Sequence, residues 1–71
     1  MPLSPLRPRE AIRKLEQAGF TFRRQKGGHA RYIHSDGRKV TVPIHPRDIS
    51  VPVLHSILHQ ARLSPEEWEA L

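Results

Sequence analysis

Apolar residues along the chain change their period twice, and the changes mark its elements. Ala11, Ile12, Leu15 and Ala18 recur at i, i+1, i+4 and i+7, one stripe on a short amphipathic helix. Pro8 suits the first turn of that helix, where a missing N–H costs nothing. Glu10 and Lys14 stand four apart in the favourable order, and Gly19 is a natural residue to end the helix. From Phe20 the period shortens to two. Phe20 and Phe22 alternate with Thr21 and Arg23, which predicts a half-buried strand. Gly27-Gly28 turns the chain back, residues 29–34 predict a second strand, and Ser35-Asp36-Gly37 is a tight turn. Residues 38–42 predict a third strand with Val40 and Val42 on one face, ended by Pro43, which cannot donate to a ladder. After a loop over 43–49 the helical period returns. Ser50 is placed to cap a second helix with Val53, Leu54, Ile57, Leu58 and Ala61 as its stripe. Ser64-Pro65-Glu66-Glu67 reads as a capping box opening a short last helix that returns Trp68 and Leu71 to the core.

The order is α-β-β-β-α with a terminal helical turn, an α+β fold. Three consecutive strands joined by tight turns form an antiparallel meander. Each long helix has one apolar stripe, so both are expected on one face of the sheet. The other face is left to solvent or a partner. Double-stranded-RNA-binding domains share this order. Residues 1–7, with two prolines and no period, read as a flexible, frayed arm, and residues 8–71 as a single domain. A chain of 71 residues buries only about 60% of its unfolded surface, which leaves no room for a deep enclosed active site. Chemistry is therefore expected on an open face or in a loop.

Composition narrows the class. There is no cysteine, which excludes a disulfide-stapled scaffold and a thiolate zinc site and fits a reducing compartment. The first residues lack the apolar run of a signal peptide, and no stretch approaches the ~20 apolar residues of a membrane span. A soluble cytoplasmic protein is expected. The net charge is +5 and unevenly placed. Residues 20–42 hold Arg23, Arg24, Lys26, Arg31, Arg38 and Lys39 against Asp36 alone, whereas residues 63–71 hold Glu66, Glu67 and Glu69 and no base. One face that attracts a polyanion is expected, with nucleic acid ahead of a merely solvated surface.

The stretch Arg23-Arg24-Gln25-Lys26-Gly27-Gly28-His29-Ala30-Arg31 sets one histidine behind two glycines and among four cations. Metal-free hydrolysis of RNA needs a base for the 2′-hydroxyl proton or an acid for the leaving oxygen, and cations to hold the phosphate. Histidine, with an ordinary pKa of about 6.5, suits that proton transfer at neutral pH. Glycines let a phosphate backbone approach the peptide N–H groups. On residue types alone a hairpin turn beside a surface histidine is the commoner meaning. His34 and His45 are weaker candidates to assist. His55 and His59 have the spacing of a metal pair on a helix but no glutamate between them, and no metal or cofactor is expected. Trp68 reads as core. The parity of Tyr32 opposes that of His29, so Tyr32 points inward if His29 faces RNA, and Ile33 then shares the exposed face.

Taken in order, Arg24-Gln25-Lys26-Gly27-Gly28-His29, His34, Asp36-Gly37, Val40-Thr41-Val42-Pro43-Ile44-His45, residues 54–61 and residues 63–68 resemble the HicA toxin family. The resemblance covers about residues 8–71. It implies a double-stranded-RNA-binding-like fold, metal-independent cleavage of mRNA, a HicB-type antitoxin as partner, and His29 as the catalytic residue. Many members have Gly-Ser-His where this chain has Gly27-Gly28-His29, and the loop after His45 reads Pro46-Arg47-Asp48 where a glycine is more usual. The leading expectation is a ribonuclease toxin with His29 as general acid/base and Arg23, Arg24, Lys26, Gly27, Gly28, Arg31 and Lys39 binding RNA. The alternatives are a non-catalytic RNA-binding module of the same fold, and a domain whose cationic face binds an acidic protein.

Overall fold

A computed structural model of the chain describes residues 3–71; Met1 and Pro2 of the expected arm lie outside the described residues. The elements are α1 (Pro8–Gln17), β1 (Phe20–Lys26), β2 (His29–His34), β3 (Lys39–Pro43), α2 (Val51–Ala61) and α3 (Pro65–Glu69). The strands form one antiparallel sheet in the order β1-β2-β3. This is the expected α-β-β-β-α layout. The third strand begins one residue later than its pattern predicts and includes Pro43, which pairs opposite His29 at the end of an edge strand.

One face of the sheet carries the buried apolar residues. Phe20, Ala30, Tyr32, Val40 and Val42 point into a core shared with Ala11 and Leu15 of α1, Leu54, Ile57, Leu58 and Ala61 of α2, and Trp68 of α3. Both long helices therefore lie on the same side. The Cα envelope measures 31 × 29 × 16 Å, thin enough for two layers only. Proline opens all three helices within their first two residues, and Gly19 follows α1 at φ +100°. At Gly19 a side chain is doubly disfavoured, because a Cβ there would stand 2.8 Å from His34 Nε2. The capping box of α3 forms in full: Ser64 Oγ accepts from Glu67 N–H at 3.1 Å, and Glu67 Oε1 accepts from Ser64 N–H at 2.8 Å. Ser50 stands at the start of α2, but its hydroxyl makes no capping bond.

The packing departs from the linear pattern in four places. Phe22 is 54% exposed although its period marks it as core. It points to the helix side, but β1 is an edge strand with burial only at Phe20, so Phe22 lies edge-on against Tyr32 at 5.7 Å. Val53 is likewise exposed on α2. Ile49, in a loop without period, is fully buried. It exchanges two backbone hydrogen bonds with Leu6, which ties the segment before α1 to the start of α2. Lys14, on the solvent side of the pattern, is buried at 8% exposure. Its ammonium donates to the carbonyls of Trp68 at 2.9 Å and Leu71 at 3.2 Å and lies 5.5 Å from the Trp68 ring centre. That clasp holds α3 against α1.

Candidate nucleic-acid interface

The helix-free face of the sheet is where the cations gather, and strand parity decides which of them reach it. On β2, Ala30 and Tyr32 point inward, so His29, Arg31 and Ile33 point outward. Across β3 their partners are Pro43, Thr41 and Lys39. On β1 simple alternation from the inward Phe22 would send Arg24 and Lys26 toward the helices. The register prevents this. Phe22 pairs with Tyr32, but Arg24 pairs with Arg31 and Lys26 with His29, so one residue, Arg23, is extra. This bulge sets Arg23 and Arg24 together opposite Arg31 and turns the rest of β1 over. Arg24 and Lys26 then share the face of His29.

Two shallow hollows result. One, of about 210 Å³, is lined by Arg24, Lys26, His29, Arg31 and Thr41. The other, of about 240 Å³, is lined by Arg23, Arg24, Arg31, Ile33 and Lys39. Neither lining contains a carboxylate. The sheet thus brings together His29, Arg23, Arg24, Lys26, Arg31 and Lys39. Gly27 and Gly28 form the two-residue turn that joins Lys26 to His29. Gly27 has φ +57°, which asks for glycine, while Gly28 has no positive φ, and a Cβ there would meet only Ile44 O at 3.5 Å. Gly28 O accepts from Ile44 N–H at 2.7 Å, and Gly27 O accepts from the Gln25 side chain at 3.2 Å, which holds the turn beside His29. Thr41 was not among the expected site residues. Counting outward from the three-residue turn Ser35-Asp36-Gly37, with His34 facing Arg38, would have placed it across from Arg31.

The other candidate groups lie elsewhere. His34 points to the helix side, edge-on to Phe20 at 5.2 Å, with Nδ1 3.1 Å from Asp36 Oδ1. It is on the opposite face from His29. His45 lines a separate groove of about 280 Å³ with Ile12 and Ile44, and its Nδ1 accepts from Arg47 N–H at 3.3 Å. His55 and His59 are exposed on α2. Arg38 belongs to the basic stretch but is spent on the fold. It pairs with Asp36 at 2.9 Å, lies over the Phe20 ring at 5.1 Å and donates to Ala61 O. The Arg38 hydrogen bonds hold the Asp36 carboxyl below the usual carboxylate range. Burial pushes the Tyr32 phenol up, with Glu16 adding to it, as suits a ring pointing inward. Among the described residues no three His, Asp or Glu side chains come together as a metal site would require.

Fold and face define a small α+β domain of double-stranded-RNA-binding-like layout, with its cations gathered on the uncovered side of a three-stranded sheet. Over residues 8–63 the chain matches the family described as HicA toxin of bacterial toxin–antitoxin, and it belongs to that family. The match takes in the whole sheet and both long helices. The chain is therefore a toxin of a toxin–antitoxin system, in a family of mRNA-cleaving endoribonucleases, with RNA as its class of substrate and an antitoxin as its partner. No curated protein matches the chain. No helix among the described residues is long and apolar enough to cross a membrane.

Proposed function

We propose that the chain cuts mRNA in the cytoplasm without a metal ion, with His29 as general acid/base, and that a HicB-type antitoxin silences it by covering that histidine. The observation that carries this reading is the hollow at His29. It is the one histidine of that face, it is exposed, and Arg24, Lys26 and Arg31 surround it. An unprotonated ring nitrogen of His29 takes the 2′-hydroxyl proton as the 2′-oxygen bonds to phosphorus. The bond from phosphorus to the 5′-oxygen breaks, and the departing oxygen takes a proton from water. The cations, joined by Lys39, Arg23 and the N–H groups of the Gly27-Gly28 turn, hold the phosphate oxygens through the change. Metal independence rests on this donor set: fixed cations occupy the place where an ion would neutralise charge. Thr41 lines the same hollow.

The test incubates purified protein with mRNA in excess EDTA, beside His29→Ala. The native chain should cut in EDTA, and the variant should lose at least about a hundredfold in rate, the lower end of general acid/base catalysis. Its stability should stay within about 0.5 kcal/mol, since the ring is exposed. Cleavage that stops in EDTA removes metal independence, and RNA binding without cleavage leaves a binding module. For the antitoxin, charge reversal at Arg24 and Lys26 should weaken binding more than tenfold, about 1.4 kcal/mol, whereas His29→Ala should not. A complex with His29 open to solvent would refute occlusion.

A further inference from the structure

The two hollows share Arg24 and Arg31 but differ in chemistry and lie in a fixed order along β2. On one side of His29 the face ends at the Gly27-Gly28 turn, closed by the Ile44 N–H bond to Gly28 O. The second hollow lies only on the other side, toward the turn between β2 and β3. Successive outward residues of a strand are about 7 Å apart, so the two hollows are offset by a similar distance, on the order of one nucleotide step. Arg23, Arg31 and Lys39 without a carboxylate suit a phosphate. Ile33, half-buried on a face otherwise polar, supplies an apolar floor, and the guanidinium groups beside it supply planes on which a base can stack. The aromatic rings near this sheet do not compete for that role, because Phe20, Phe22 and Tyr32 all point to the helix side. A duplex keeps its base faces covered by stacking, so it has nothing to place on Ile33. An unpaired nucleotide does.

We infer that the hollow at Ile33 is a subsite for the nucleotide next to the scissile phosphate on one side only, so that the substrate is single-stranded RNA gripped asymmetrically. This rests on reading the hollow at His29 as the cleavage site. The test takes an mRNA fragment that the native chain cuts and shortens it one nucleotide at a time, from the 5′ end in one series and from the 3′ end in another. On one side, removal of the nucleotides next to the cut should raise KM at least tenfold. On the other side the change should stay below threefold. Ile33→Ser and Lys39→Gln should shrink the difference between the two series, and annealing a complementary strand should lower kcat/KM at least tenfold. Equal losses in both series, an undiminished difference in both variants, or a duplex cut as fast as the single strand each overturn the subsite. If His29→Ala cuts as well as the native chain, the catalytic reading of His29 falls, while the asymmetry between the series still decides the subsite.

Discussion

Replacing Arg24 and Lys26 together by glutamine removes the two cations that face outward only because of the bulge at Arg23. Arg23, Arg24, Lys26, Arg31 and Lys39 line the two hollows, and all five are exposed. If each neutralises one phosphate of a single strand, log affinity falls against log salt with a slope of about −3.5, at about −0.7 per contact. The double variant keeps three contacts and a slope of about −2.1. Between about 50 and 200 mM salt the native chain then loses about 130-fold in affinity and the variant about 20-fold. Fluorescence anisotropy on a labelled single-stranded RNA reads both slopes, with His29→Ala in every protein to prevent cutting. Arg62→Gln, at the end of α2, serves as the comparison and should keep the native slope. A native slope in the double variant would mean that Arg24 and Lys26 do not reach RNA and that the bulge does not build the site. An equal loss in Arg62→Gln would mean that the charge acts diffusely rather than through this face.

Three further outcomes follow from particular contacts. Lys14→Met keeps the packing of the stem but loses the bonds to the Trp68 and Leu71 carbonyls, so it should cost about 1.5–3 kcal/mol, the range for hydrogen bonds to a charged group. A thermal melt checks this, and a variant as stable as the native chain would show that the buried charge only breaks even. Gly27→Ala should cost about 1–2 kcal/mol because of its left-handed φ, whereas Gly28→Ser should stay within about 0.5 kcal/mol; equal costs in urea titrations would contradict the turn geometry. The Asp36 carboxyl is depressed in the folded chain by Arg38, so its contribution is full above the ordinary carboxylate value and is lost as pH falls through the folded one. Asp36→Asn should therefore be less stable than the native chain at neutral pH, and the difference should vanish at acid pH, well below about 4. A difference that persists there would assign the effect to the turn's shape rather than to charge.

The features legible in the linear order are those set by neighbours in sequence. The change from a 3.6 to a 2 period, Pro8 and Gly19 at the ends of α1, Asp36-Gly37 in its turn and the Ser64–Glu67 box each act within a few residues. They were enough for the element order and the single apolar face. The candidate site was legible in part for the same reason: His29, its two glycines and the cations are nearly contiguous. Ile33 on the open face and Tyr32 in the core followed from parity within one strand. What depended on distant partners did not show. Lys14 has the pattern of a solvent residue and becomes buried only when α3 folds back over it. Phe22 has the pattern of a core residue and stays open because no element covers that edge of the sheet. Ile49 is core because it pairs with Leu6 across more than half the chain. The site itself turns on one such long-range fact. Alternation along β1 sends Arg24 and Lys26 away from His29, and only the extra residue taken up against β2 brings them to its side. Period is a property of one strand, but register belongs to the pair, and a shift of one residue exchanges the two faces of everything beyond it.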